Sequence, residues 1–216
     1  MIITELKQGV KNPNRVNVFV DSKYAFSLDV VQVVDYKLKV GREITGDELA
    51  ELKKASEFGK LYQRALEKAL TRPHSEREMR DYLFRKLKNS SSDTLKAVRP
   101  SLRSSEEFSE FSDAILQRLI SKGYVNDRRF AEFWVENRFV KKGVSKKRLS
   151  MELMKKGVAR DIIDEVLDGR NDEEEILKII AKKRNKYDDE KLISYLVRQG
   201  FSYQLAQSQV REYGKD

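Results

Sequence analysis

Apolar residues recur at spacings of three and four along most of this chain and alternate in twos only near its start. In the alternating part Val16, Val18 and Val20 interleave with Asn17 and Phe19, Asp21-Ser22-Lys23 supplies a turn, and Tyr24 to Leu28 returns. That pattern predicts a short antiparallel hairpin, with Ile2 to Leu6 as a third strand beside it. Asp29 then caps a helical turn through Val34 and Tyr36, and Gly41 to Thr45 leads to another helix start at Gly46-Asp47-Glu48. From about Phe58 the helical period takes over, with Leu61, Tyr62, Ala65, Leu66, Ala69 and Leu70 on one stripe. Pro73 breaks it. Ser75-Glu76-Arg77-Glu78 reads as a capping box, serine and glutamate each satisfying a free amide, and opens a helix with Met79, Leu83, Phe84 and Leu87 on its core edge.

From Val125 to Asp168 the same period predicts three short helices in succession. The first opens at Asn126-Asp127, carries Phe130, Phe133, Trp134, Val135 and Val140, and stops at Gly143. The second begins at the cap residue Ser145, aligns Leu149, Leu153 and Met154, and ends at Gly157, where a left-handed backbone can close the helix. The third runs from about Ala159 to Leu167 with Ile162, Ile163, Val166 and Leu167 inward. None is long enough to stand alone, so they must pack on one another.

Displacing the chain against itself by 43 residues sets Leu149 on Leu192, Leu153 on Leu196, Met154 on Val197, Gly157 on Gly200, Val158 on Phe201 and Ile162 on Leu205. A displacement of 70 in the other direction sets Ser75 on Ser145, Met79 on Leu149, Leu83 on Leu153 and Phe84 on Met154. The expected fold is therefore mostly α: three tandem three-helix repeats in an elongated curved array, preceded by a small N-terminal β-hairpin/α segment. The expected divisions are 1–55 for that segment, 56–125 for repeat one with a Ser-rich insertion at 89–105, 126–170 for repeat two and 171–216 for repeat three. The insertion holds Pro100, shows no sustained period and reads as a mobile loop; Ser104-Ser105-Glu106-Glu107 then offers a second capping box into the helix of Ile115 and Leu119. Repeat three opens on Asp172-Glu173-Glu174-Glu175, suited to the positive end of a helix dipole, with Asp188 starting its next helix. Gln204, Gln207, Ser208 and Gln209 give its last helix the polar outer side a terminal repeat needs.

Composition changes this picture little and charge changes it more. With no cysteine, no apolar run near membrane length and no secretory signal in MIITELKQGV, the reading is a cytoplasmic protein without disulfides or membrane span. The net charge of +9 is uneven. Residues 60–103 carry twelve basic and five acidic side chains, 126–160 carry eleven and four, and 161–216 carry ten and thirteen. A polyanionic partner along the front of the array follows from that asymmetry, since Lys and Arg displace counterions from phosphate backbones. By charge and helix position the candidate contacts are Arg77, Arg80, Arg85 and Lys86 in repeat one, and Lys141, Lys142, Lys146, Lys147, Arg148, Lys155 and Lys156 in repeat two, with Phe130, Trp134, Leu149 and Leu153 as core. There is no phosphate-cradling glycine loop, no cysteine nucleophile and no partner set for the lone His74, which reads as a turn residue. Neither catalytic residue, cofactor nor metal is expected.

The run VNDRRFAEFWVENRF, followed by Gly143, Leu149, Glu152-Leu153 and Lys156-Gly157-Val158, resembles the central repeat of the RecX family, regulators of the bacterial recombinase RecA. Asn126, Asp127, Phe130 and Ala131 keep the family's form, and the likeness covers nearly the whole chain. The segment 89–105 departs from it. The resemblance implies a monomeric, non-enzymatic modulator, mainly an inhibitor, that lies in the groove of the RecA filament on DNA and limits ATP hydrolysis, strand exchange and filament growth in DNA repair and recombination. Contact with single- and double-stranded DNA would then be indifferent to sequence. The rival readings are a sequence-specific helix-turn-helix regulator, which should discriminate between duplexes, and a helical scaffold for proteins alone, whose binding should depend little on salt.

Overall fold

A computed structural model describes residues 1–10, 12–89, 105–137 and 143–213. The insertion at 90–104, with the cap residue Ser104, and Val140, Lys141 and Lys142 lie outside the described residues. What is described is mostly helical, with a three-stranded sheet at the N-terminus. No described helix is long and apolar enough to cross a membrane. The chain divides into two compact units, Met1–Arg72 with Met79–Tyr124, and Pro73–Glu78 with Val125–Asp216.

In the first unit the sheet has the antiparallel order β1 (Ile3–Gln8), β2 (Arg15–Val20), β3 (Lys23–Asp29). The two residues between β2 and β3, Asp21 and Ser22, have φ of 47° and 64°. This is the doubly left-handed turn whose twist suits a two-residue hairpin. Ile3, Val18, Val20, Phe26 and Leu28 form one buried face and meet Leu38, Ile44 and Leu52. Asp29 caps α1 (Val30–Asp35) through a reciprocal box with Gln32.

Two helix starts expected near residues 46 and 58 are one helix, α2 (Gly46–Thr71), capped by Thr45. The only interruption in its middle is Gly59, and a single glycine costs a helix only about 1 kcal/mol. Burial on both sides of it holds the helix together: Leu52 and Ser56 before, Leu61, Ala65 and Ala69 after. A side chain at Gly59 would press on the Gln32 side chain of α1, 3.2 Å away. Ser56 donates to the carbonyl of Ser27 (2.7 Å), as does the half-buried Arg15, whose pKa burial lowers while Asp29 works the other way. Met79, Leu83 and Leu87 of α3 (Glu76–Asn89) are buried, as are Phe111, Ile115, Leu116 and Leu119 of α4 (Ser105–Ser121). Leu70 and Phe84, expected on apolar stripes, are instead 67% and 54% exposed.

The second unit holds two copies of one three-helix pattern. The first is α5 (Asp127–Asn137), α6 (Lys146–Lys155) and α7 (Arg160–Val166), closed over Phe130, Ala131, Val144, Leu149, Leu153, Val158, Ile163 and Leu167. The second is α8 (Asp172–Lys183), a 3-10 turn at Arg184–Lys186, α9 (Asp189–Arg198) and α10 (Tyr203–Tyr213), closed over Ile176, Ile179, Ile180, Leu192, Leu196, Phe201, Ala206 and Val210. The displacement of 43 sets Leu149, Leu153, Val158, Ile163 and Leu167 of the first core on Leu192, Leu196, Phe201, Ala206 and Val210 of the second but leaves the first helices out of register, and Gly157 and Gly200 both take positive φ, 86° and 96°. Met154 and Val197 were expected beside the core leucines but face solvent, 42% and 40% exposed. Each lies one residue past the last buried leucine, about 100° further round the helix, which carries it off the narrow buried stripe of so short a bundle.

Candidate partner-binding surface

Two polar seams organise the second unit and decide which of its cations are available. At the first, Ser75 caps α3 by accepting from the Glu78 N–H (3.1 Å) and donates its own proton to the Lys156 carbonyl (2.7 Å). The next amide, Glu76 N–H, donates to Asp127 Oδ1 at the start of α5 (2.8 Å). At the second seam Ser145 caps α6 by accepting from the Arg148 N–H (3.2 Å) and donates to the Gln199 carbonyl (2.8 Å). There the Lys146 N–H donates to Asp172 Oδ1 at the start of α8 (2.7 Å). Both serines are fully buried, so each hydroxyl's two bonds satisfy a side chain withdrawn from water. Burial raises the pKa of Asp127 above its ordinary value, and the bond from Glu76 opposes that rise.

The glycines make these approaches possible. A Cβ at Gly157 would lie 2.7 Å from Cβ of Arg77, and one at Gly200 would lie 2.5 Å from Oγ of Ser145. Side chains then finish each seam differently. Lys156 Nζ pairs with Glu78 Oε1 (2.7 Å) and lies 5.2 Å from the centre of the Trp134 ring, whose Nε1 donates to Glu152 (3.2 Å). At the second seam Arg148 donates to the side-chain carbonyl of Gln199 and sits 3.5 Å from Glu152. Beside it the buried Glu175 accepts from the Val144 N–H (3.2 Å), Arg170 (2.9 Å) and Lys178 (2.6 Å).

The cations named from sequence separate accordingly. In the first unit Arg80 pairs with Asp113 (3.0 Å), Arg85 donates to the Asp81 carbonyl (3.2 Å), and Lys86 lies over Tyr82 (5.5 Å). In the second, Lys156 and Arg148 belong to the seams, and Lys146 reaches the Asp168 carbonyl (3.4 Å). Arg77, Lys147 and Lys155 are exposed, and among the described residues Lys147 and Lys155 carry no ion pair. Lys155 lines a shallow cleft with Arg148, Met151 and Glu152 of α6 and with Arg198 and Gln199 at the end of α9.

Sequence reasoning missed Arg198, although the displacement of 43 sets it directly on Lys155. It also read Ser75 and Ser145 as caps alone. The signal for their second role was the pair Asp127 and Asp172, each opening the first helix of the following repeat.

Comparison with known proteins matches residues 126–167 to the family model "RecX, second three-helix domain" and residues 1–45 to "Regulatory protein RecX N-terminal domain". The chain is 30% identical to the regulatory protein RecX of Listeria monocytogenes over 223 residues, covering 98% of this chain and 76% of the relative. It is 32% identical to that of Bacillus velezensis over 206 residues, covering 94% and 70%. A crystal structure of regulatory protein RecX superposes with a TM-score of 0.66 at 22% identity, covering 94% of this chain and 96% of that one. RecX from Lactobacillus salivarius superposes with 0.52 at 22% identity, covering 74% and 97%. The solved structures support the helical repeat fold.

Proposed function

The chain belongs to the RecX family of regulatory proteins, and from that premise we propose that it modulates, mainly by inhibition, the RecA recombinase assembled on DNA. It acts by binding rather than by catalysis, as a cytoplasmic monomer, lying in the filament groove and limiting ATP hydrolysis, strand exchange and filament growth. Each repeat, 56–125, 126–170 and 171–216, serves as one contact module. The observation that carries this reading is how the seams leave Arg77, Lys147 and Lys155 on the solvent side of a scaffold that uses Lys156 and Arg148 internally. Such cations meet a polyanion by releasing its counterions, without reading its sequence.

A sequence-specific helix-turn-helix reader fits the second unit less well. The third helix of its first bundle, α7, exposes Asp161 together with Asp164 and Glu165, which pair with Arg160 and Arg128, so this face offers little net positive charge to the phosphates flanking a major groove. The deciding experiment adds the protein to RecA hydrolysing ATP on single-stranded DNA. Inhibition that weakens as salt is raised is the expected result. An unchanged rate at molar excess, or tight binding to one duplex sequence over others, overturns the proposal.

A further inference from the structure

The fold leaves one face of α6 without an internal use. Lys147, Met151, Met154 and Lys155 stand at i, i+4, i+7 and i+8 of that helix, so they form one stripe, and all four are exposed. The buried Leu149 and Leu153 lie on the opposite side. Burial accounts for the leucines and a polyanionic partner for the lysines, but neither accounts for two thioethers in water: Met151 is 43% and Met154 42% exposed. Nor do the other repeats share the pair. The displacement of 43 sets Ser194 and Val197 on these positions and the displacement of 70 sets Asp81 and Phe84 there, so only the central repeat carries sulfur at them.

Sulfur is scarce in this chain. It has no cysteine and four methionines, of which Met79 is fully buried in the first unit and Met1 is the first residue, so Met151 and Met154 hold all the sulfur of the second unit. An oxidant of the peroxide class transfers one oxygen to such a thioether. A sulfur–oxygen bond forms, the O–O bond breaks, sulfur gives up two electrons, and the second oxygen leaves as water with both protons. Neither sulfur belongs to the core around Leu149 and Leu153, so the bundle keeps its packing. Its surface changes. A thioether accepts hydrogen bonds weakly and a sulfoxide oxygen accepts them well. Lys147, one turn before Met151, and Lys155, one turn after it, each present an ammonium with no ionic partner among the described residues. Sulfoxides between them engage those ammoniums in place of a phosphate and turn an apolar stretch of the stripe polar.

We propose that Met151 and Met154 form a reversible oxidation site, and that their sulfoxides weaken the contact made through Lys147 and Lys155. The weakening rests on the function proposed above; the site itself does not. The test treats the folded chain with hydrogen peroxide and follows, by peptide mass, the gain of one oxygen at each methionine. Met151 and Met154 are expected to react about tenfold or more faster than Met79, which should catch up only in urea. Far-UV circular dichroism and the urea midpoint of the oxidised protein should match those of the parent. Its inhibition of RecA ATPase on poly(dT) should fall about threefold or more. Methionine sulfoxide reductase should restore it, a dithiol supplying two electrons and the oxygen leaving as water. The variant Met151→Leu, Met154→Leu, treated alike, should keep its own untreated level within about twofold, and Met151→Gln, Met154→Gln should show the lowered inhibition without peroxide. Oxidation of Met79 in step with the pair, or unfolding on oxidation, overturns the site. Inhibition that survives oxidation, or that falls equally in the leucine variant, overturns the weakening. A parent chain that does not inhibit before treatment overturns the function proposed above, and the order of oxidation still decides the site.

Discussion

The seam at Ser75 and the seam at Ser145 share their backbone bonds and differ in their side chains. Each joins a capping serine to the carbonyl before a glycine, and an aspartate to the first amide of a helix. The third contact is an ion pair, Glu78 with Lys156, at one seam and a charged donor on a neutral acceptor, Arg148 with Gln199, at the other. What fixes both joints of the second unit is therefore addressed to the backbone. Charge is left to vary. That division lets the two joints share one backbone pattern while Lys156 and Arg148 are engaged differently at each.

The comparison breaks hardest at the glycines. Alanine at Gly157 must adopt a left-handed backbone, costing about 1–2 kcal/mol, and must also push Cβ of Arg77 aside, adding about 1–3 kcal/mol for overpacking. At Gly200 the same backbone cost applies, but the obstacle is Oγ of Ser145, which can turn away at the expense of its bond to Gln199. Both variants should lower stability in urea by roughly 2–5 kcal/mol, with Gly157→Ala the larger. Gly169, with nothing within 4 Å of an added Cβ and no left-handed backbone, is the control and should change little as alanine. Equal behaviour of all three alanines would mean that neither seam needs its close approach.

The serines come next. Ser75→Ala and Ser145→Ala each remove a cap and leave a carbonyl without its donor in a partly buried joint, a loss of about 1–2 kcal/mol apiece. Near-equal losses are expected, since the shared bonds are backbone-directed. Thermal unfolding of the two variants in parallel checks this. A much smaller loss at Ser75 would show the Glu78–Lys156 pair carrying its seam, and raising the salt should then narrow the gap, because that pair is partly exposed and screening weakens it.

The hairpin, the buried leucines and the terminating glycines were legible in sequence because each rests on a local rule: alternation, helical period or left-handed closure. The seams were not. Ser75 and Lys156 are far apart in the chain, and the cap already gave Ser75 a sufficient local reason. Which cations pair within the fold was not legible for a related reason. A lysine run marks where cations are, but Lys156 and Arg148 are held by partners that only the packed bundles supply. Phe84 and Met154 were placed with the core leucines, and Val197 beside them by the displacement of 43, because a residue next to a buried leucine satisfies the period nearly as well as the leucine does. Only the width of the buried stripe separates them.

The smallest effect, and the one that sharpens the comparison most, concerns Asp127. Its raised pKa means that the fold favours the protonated carboxyl, so its contribution to stability is greatest below the ordinary value of 3.8 and declines as the pH rises through the folded value. Asp127→Asn keeps an oxygen for the Glu76 N–H and removes the buried charge. The variant should therefore gain a few tenths of a kcal/mol at neutral pH, a shift kept small by solvent screening of this half-buried group, and the gain should vanish as the pH falls below about 4. Trp134 is the only tryptophan in the chain and lies against Lys156 of the same seam, so its fluorescence during urea unfolding follows this joint directly. A loss of stability at neutral pH would mean that attraction between the Asp127 charge and the start of α5 outweighs the cost of burying it. In that case the carboxylate, and not merely its oxygen, is what the seam at Ser75 requires.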